Sequence, residues 1–312
     1  MPLKLAAWAA GIAAILALPL VLGPYYLGLA TKMIIYALFA MSLDLLIGFT
    51  GMASLGQAAY FGLAAYTAGL LALRLGWNVW AALPGALLVS VLAALAFGLL
   101  ATRTRGSYFL MITLALSQLV WGIAFGWRSL TGGSDGLPAV PRPDLMPFVS
   151  LESDSAFYYF VLLIVALATF ILFRLVASPF GYALRGIRES ETRMLALGYN
   201  VRRYRLLVFV ISGLFAALAG VLYVYFNRFV SPDYLHVERS AEVLLMVILG
   251  GAGTLIGPAI GAVVIVALED VASAYTERWL MIIGVVYMLV ALLAPDGLTG
   301  LFKRLRRGRT GA

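Results

Sequence analysis

Long apolar runs separated by short polar punctuation dominate this chain. A helix needs about 20 mostly apolar residues to cross a bilayer, because the hydrocarbon is roughly 30 Å thick and each residue rises about 1.5 Å. On that measure the runs 6–22, 33–48, 57–73, 80–101, 107–127, 156–175, 206–227 and 279–295 predict about eight transmembrane helices. Between the last two, 242–268 is apolar but interrupted by Gly250-Gly251-Ala252-Gly253 and by Gly257-Pro258. The pattern predicts an all-α polytopic membrane protein, a single transmembrane domain over 1–312, with one broken or re-entrant glycine-rich segment.

Composition agrees with lipid as the solvent. Of the 312 residues 63% are hydrophobic and 12% charged, against about 45–50% and about 25% in soluble domains. No cysteine is present, which excludes disulfides and thiolate metal sites. The net charge of +8 is read as membrane topology rather than as nucleic-acid binding. The start, MPLKLAAWAAGIAAILALPLVLG, has a basic residue before an apolar run, but Pro24-Tyr25-Tyr26 follows where a cleavage site wants small residues. An uncleaved first span is expected.

Charge orients the spans. Arg103 and Arg105 follow the fourth span, and the tail at 303–312 carries Lys303, Arg304, Arg306, Arg307 and Arg309 without an acid. Loop 178–205 holds six arginines against Glu189 and Glu191, whereas loop 128–155 has Arg128 and Arg142 against four acids. Positive-inside logic puts the basic segments and both termini in the cytoplasm, and 128–155 outside. Span 206–227 then ends outside and span 279–295 must start there. Segment 242–268 is therefore expected to make no net crossing, with its turn in mid-membrane and its open backbone buried or facing water.

A second break resembles the first. Gly48-Phe49-Thr50-Gly51 and Gly56 interrupt spans two and three, as the later glycines interrupt 242–268. Paired Gly/Pro breaks in two halves of a membrane chain point to a transport site, although small residues also permit close helix packing. The pathway candidates are Asp44, Gly51, Ser54, Gln57, Tyr60, Thr113, Gln118, Gly250 and Gly253, with Ser117 beside them. An intramembrane carboxylate such as Asp44 is functional by default, or else is a helix-capping or packing partner near the interface. Glu269 and Asp270 are expected at the outer surface, and His236 in an outer loop.

The stretch SPFGYALRGIRESETRMLALGYNVRRYR, 178–205, is the longest charged segment outside the tail. Ser178 before Pro179 is a helix start signal and Gly198 a stop. Arg185–Glu189 and Glu189–Arg193 are spaced i,i+4, and Gly186 is a point where the segment can split in two. Two acids, apolar residues and helix signals together suit docking onto a partner better than a merely solvated loop.

These residues carry a resemblance. The stretch SPFGYALRGIRESETRMLALGYNVRRYRLLVFVISGLFAALAGVLY resembles the cytoplasmic coupling region of ABC-importer permeases for branched-chain amino acids, of the LivM/LivH type. GFTGMASLGQAAYFGLAAYTAGLL, TGGSDGL and ILGGAGTLIGPAIGA resemble that family's other segments, in order, from about Leu43 to Gly300. Gln57 and Tyr60 depart from the His and Phe common there. The resemblance implies a type II ABC-importer-like fold in a bacterial inner membrane. It implies ATPase coupling through Arg185, Arg188, Glu189, Glu191, Arg193 and Gly198, and binding-protein docking at Gly132, Gly133 and Asp135. The implied partners are a second permease chain (homologous or identical), two cytoplasmic ATPase subunits, an external solute-binding protein and membrane lipid.

The chain has no G-x-x-x-x-G-K-[ST] loop and no nucleophilic triad or metal-ligand spacing. No cofactor is expected on it; ATP and magnesium belong to the partner subunit, and the chain is not expected to be an enzyme. Branched-chain or related amino acids are the expected cargo, with urea or short amides as alternatives in the same class. An ion-coupled secondary transporter and a transport-free membrane scaffold are the competing classes. Neither needs an ATPase-docking loop.

Overall fold

The computed structural model describes residues 15–142, 144–146 and 149–275, with isolated positions 278, 281, 284, 285, 288, 297 and 298. Most of the expected first span, the expected span 279–295 and the tail 303–312 lie outside the described residues.

Helix α1 is Pro24–Thr50 and α2 is Gln57–Leu75. Val79–Ala101 forms α3, Ser107–Gly126 α4 and Asp154–Val176 α5. Two short helices, α6 (Pro179–Glu189) and α7 (Glu191–Ala196), precede α8, Val201–Asn227. The last two are α9, Val237–Gly250, and α10, Ile256–Tyr275. Among the described residues seven helices are long and apolar enough to cross a membrane: α1, α2, α3, α4, α5, α8 and α10.

Burial divides them. The most apolar window of α1 is 83% buried and that of α8 72%, while α3 and α4 reach only 22%. Leu88, Leu92, Leu95 and Leu99 of α3 are exposed, as suits a face that lipid solvates. Small residues let the inner helices meet: a Cβ on Gly220 of α8 would fall 2.0 Å from Phe61 O of α2, and one on Gly213 2.8 Å from Ala94 Cβ of α3. Helix ends are capped locally, by Asn78 accepting from Ala81 N at 3.3 Å and by Ser153 accepting from Ala156 N at 3.2 Å.

Two ends of the bundle are distinguished by their contacts. At the basic end Glu191 joins Arg105 and Arg205, at 2.9 and 2.8 Å. At the opposite end Tyr25 donates to Asp270 at 2.7 Å, Lys32 pairs with Glu269 at 3.0 Å, and Leu137–Pro138 pairs antiparallel with Phe229–Val230. Glu269 and Asp270 thus lie at the end remote from the arginines.

Segment 242–268 corrects the expectation in part. It belongs to a hairpin: α9 runs toward the basic end, residues 251–255 turn, and α10 returns antiparallel to α1. The stretch makes no net crossing, as charge parity required. Its turn, however, sits against the last residues of α1 at the basic end rather than half-way along the bundle. The helices are longer than hydropathy suggests because Glu238, Arg239, Glu242, Glu269 and Asp270 are helical residues, not loop.

The charged loop also departs in detail. It splits at Ser190, which is extended (φ −159°) and accepts from Arg193 N to start α7; Gly186 stays inside α6, close against Met194. The break parts Glu189 from Arg193, and among the described residues neither i,i+4 ion pair forms. Ser178 occupies the N-cap position, but its hydroxyl donates back to Leu175 O at 2.6 Å. Gly198 ends α7 in left-handed conformation (φ +84°), with Tyr199 N bonded to Met194 O at 3.1 Å.

Candidate functional site

The arginine-bearing helix α6 packs on α1 where the first glycine break begins. Arg188 Nη1 donates to the carbonyl of Gly48, and its aliphatic stem lies over Gly51, where a Cβ would fall 3.5 Å from Arg188 Cγ. Arg185 stands over the Phe49 ring, 5.2 Å from its centroid. The second break enters the same junction. Gly253 N and Leu255 N donate to Asp44 Oδ1 and Oδ2, at 2.7 and 3.0 Å. Asp44 is fully buried, and both its oxygens serve the turn between α9 and α10.

No Cβ fits at Gly48 or Gly250 in this junction, and Gly253 is held in a conformation that favours glycine. A Cβ on Gly48 would lie 2.2 Å from both Asp44 Oδ1 and Gly253 N. Gly253 has φ +86°, and a Cβ there would meet Gly48 O at 3.1 Å and Arg188 Nη1 at 3.3 Å. Gly250 faces Gly257 O, 1.9 Å from where a Cβ would sit. One arginine thus touches both glycine breaks, with a buried aspartate bridging them.

The remaining expected pathway residues are inside the bundle. Gln57 is fully buried and donates to Ser212 Oγ, which donates to Ser42 O; among the described residues Gln57 Oε1 has no partner. Ser54 Oγ accepts from Gly56 N at 3.1 Å, and Thr113 Oγ1 accepts from Leu55 N at 3.2 Å, so both hold the 51–56 break. Tyr60 is wedged between Phe97 and Phe209. Gln118 lies on α4 with Nε2 buried and, among the described residues, unpartnered, as is Ser117 Oγ. Gly132 and Gly133 adopt positive φ in a tight turn with Asp135, at the end opposite Arg188 and Arg205.

Of the coupling residues, Glu191 is engaged within the chain by Arg105 and Arg205. Glu189 and Arg193 are exposed on the basic end.

Sequence reasoning missed a cavity of about 810 Å³ at the opposite end, lined by Trp121, Ser134, His236, Arg239, Glu242 and Glu269 among others. His236 is part of its wall, with its ring 5.5 Å from Trp121. The available signal was Arg239 and Glu242, spaced i,i+3 just before an apolar run.

Comparison with known proteins agrees with this architecture. Residues 25–292 match the family described as branched-chain amino acid transport system / permease component. The chain is 30% identical, over 91% of its length and 72% of the relative's, to the high-affinity branched-chain amino acid transport system permease protein LivM of Escherichia coli. It is 31% identical to the corresponding LivH of Salmonella typhimurium over 48% of this chain and 49% of the relative. It is 26% identical to the guanosine ABC transporter permease protein NupQ of Bacillus subtilis over 62% of this chain and 64% of the relative. No solved structure matches. The chain is a multi-pass membrane protein with a transport role, and it belongs to the family of branched-chain amino acid ABC transport permeases.

Proposed function

We propose that this chain is one of two permease subunits of an ATP-driven, binding-protein-dependent importer that moves branched-chain or related amino acids by alternating access. The observation that carries the reading is the junction of Arg188 with Gly48 and Gly253. A helix on the basic end, cytoplasmic in this reading, holds the two glycine-rich connections at 51–56 and 251–255.

The physical argument runs through stiffness. A continuous helix resists bending, whereas a break at 51–56 or 251–255 lets the segments on either side move as separate bodies. A pair of ATPase subunits closing on nucleotide would displace α6 and α7. Arg188 would pass that displacement to the ends of α1 and α9, and Glu191 would pass it through Arg205 to α8. A solute-binding protein would deliver cargo at the far end, beside Gly132, Gly133 and Asp135. Cargo assignment rests on the LivM relatives; the guanosine permease shows that this scaffold is matched by chains named for other solutes.

The test is Arg188→Ala in the assembled transporter, reconstituted in liposomes with ATPases and binding protein. Leucine taken up per ATP hydrolysed is expected to fall at least tenfold while the complex still assembles. An unchanged ratio would sink the coupling role. Wild-type uptake that ignores ATP and collapses with an ionophore would make the protein a secondary carrier instead.

A further inference from the structure

At the basic end a smaller cavity, of about 240 Å³, opens between the foot of α3, the start of α8 and α7. Thr102, Arg103, Arg105, Glu191, Arg202 and Arg205 line it. Four guanidinium cations thus share the space with one carboxylate, a net lining charge of +3. Glu191 is already committed at both oxygens, Oε1 to Arg105 at 2.9 Å and Oε2 to Arg205 at 2.8 Å. Arg103 and Arg202 are exposed, and among the described residues no acid pairs with either. Like charges gathered around one hollow repel one another, and an anion placed among them relieves that repulsion. The flat, forked guanidinium suits phosphate in particular, because it can donate to two of its oxygens at once.

The level of the cavity in the bundle indicates where such a phosphate comes from. Helix α3 passes from apolar to charged between Leu100 and Arg103, and α8 passes from charged to apolar between Arg205 and Leu206. Both helices are long and apolar enough to span a membrane, so the cavity lies where head groups meet hydrocarbon. A few residues further into the bundle Leu99 and Leu100 of α3 and Leu207 of α8 are exposed. They continue the leucine face that α3 turns outward at Leu88, Leu92 and Leu95. A free phosphate ion would engage the guanidinium groups alone. A phospholipid engages the arginines with its head and the leucines with its chains.

We propose that this cavity binds the phosphate head group of an anionic phospholipid, held chiefly by Arg103 and Arg202, with the acyl chains along the exposed leucines of α3 and α8. Glu191 keeps Arg105 and Arg205 in place and, being negative itself, directs the phosphate toward the two unpaired arginines. Net charge gives the selectivity. A choline head group adds a cation that meets the same arginines, whereas a glycerol head group leaves the phosphate charge uncompensated. Basic pockets between spanning helices suit anionic head groups on the same grounds.

The test uses the assembled transporter, ATPases included, stripped of lipid in neutral detergent. It is titrated with phosphatidylglycerol or phosphatidylcholine while bound lipid is counted by native mass spectrometry. Wild type is expected to bind phosphatidylglycerol at least tenfold more tightly than phosphatidylcholine. Arg103→Gln combined with Arg202→Gln should lower the phosphatidylglycerol affinity at least fivefold. Arg174→Gln combined with Arg203→Gln removes the same charge from the same end but outside the lining, and should stay within twofold of wild type. Equal losses in the two double variants overturn the site, because the whole basic face would then be attracting the lipid. A wild-type complex without the preference overturns it too, as would result if an acidic ATPase surface covered these arginines. Inorganic phosphate in hundredfold excess is expected to leave the lipid bound, and release of the lipid would make the ligand a free anion instead. Should the Arg103→Gln, Arg202→Gln protein fail to assemble, wild type decides. Phosphatidylglycerol with a photoactivatable acyl chain should then mark peptides carrying Leu99, Leu100 or Leu207, and marks confined to other spans overturn the proposal.

Discussion

Two acids stand next to arginines in this bundle, one buried and one part-buried, and the protein uses them in opposite ways. Asp44 at the basic end is fully enclosed, and each of its oxygens accepts one backbone amide of the 251–255 turn. Glu242 on the far side is lodged beside a cavity, with one oxygen on Arg239 and the other without a hydrogen-bond partner among the described residues. The arginines differ likewise. Arg188 donates to a main-chain carbonyl and clasps glycines, while Arg239 donates to a tyrosine and a carboxylate and keeps an edge free. Saturation marks a structural joint, where movement must be transmitted without play.

The largest effect that can test this contrast is Asp44→Ala. It strands the amides of Gly253 and Leu255 inside the bundle, each buried donor costing about 1–3 kcal/mol, so about 2–6 kcal/mol in all. Thermal unfolding of the purified transporter in detergent should show a large drop in midpoint, with uptake lost as the α9–α10 turn comes free. A variant as stable as wild type would mean that the turn is held by other contacts, and the joint would not be one.

A closer comparison uses isosteric pairs. Asp44→Asn turns an amide group, itself a donor, toward one of two backbone donors, and is expected to cost about 1–3 kcal/mol. Glu242→Gln can keep its oxygen on Arg239 and present its amide nitrogen to the side that now has no partner. Its loss of stability should be smaller than that of Asp44→Asn. Equal losses of stability at the two sites would erase the distinction between them.

How much of this was legible in the sequence follows from which forces are local. The spanning helices are readable because lipid demands long apolar runs with internally satisfied backbone, and every expected span among the described residues is a helix within a few residues of its expected limits, α1 and α8 extending further at their N-terminal ends. Asp44 stood out as a carboxylate in an apolar run. Its partners did not, since Gly253 is 209 residues away and hydrogen-bonds through its main chain. The hairpin of α9 and α10 was blurred for the opposite reason. Glu238, Arg239 and Glu242 look like surface residues until Tyr36, from a helix 203 residues distant, accepts the hydrogen bond of Arg239. Gln57 and Thr113 suggested a polar lining, yet each is hydrogen-bonded to a neighbour within the bundle. Periodicity and charge reveal elements and their direction, whereas pairings across the bundle require the fold itself.

The smallest effects sharpen the comparison through glycine. Gly253 and Gly198 both have left-handed backbone, φ +86° and +84°, so an alanine at either meets the same conformational strain, about 1–2 kcal/mol. Their surroundings differ. A Cβ at Gly198 would meet nothing within 4 Å, whereas one at Gly253 would press on Gly48 O and Arg188 Nη1. Gly198→Ala should therefore lower the unfolding midpoint slightly and leave the joint intact, and Gly253→Ala should lower it further and reduce uptake per ATP. If instead Gly198→Ala lost uptake at a stability close to wild type, the end of α7 would itself have to touch the engine. The force would then enter the bundle through α7 and α8 rather than through the Arg188 joint.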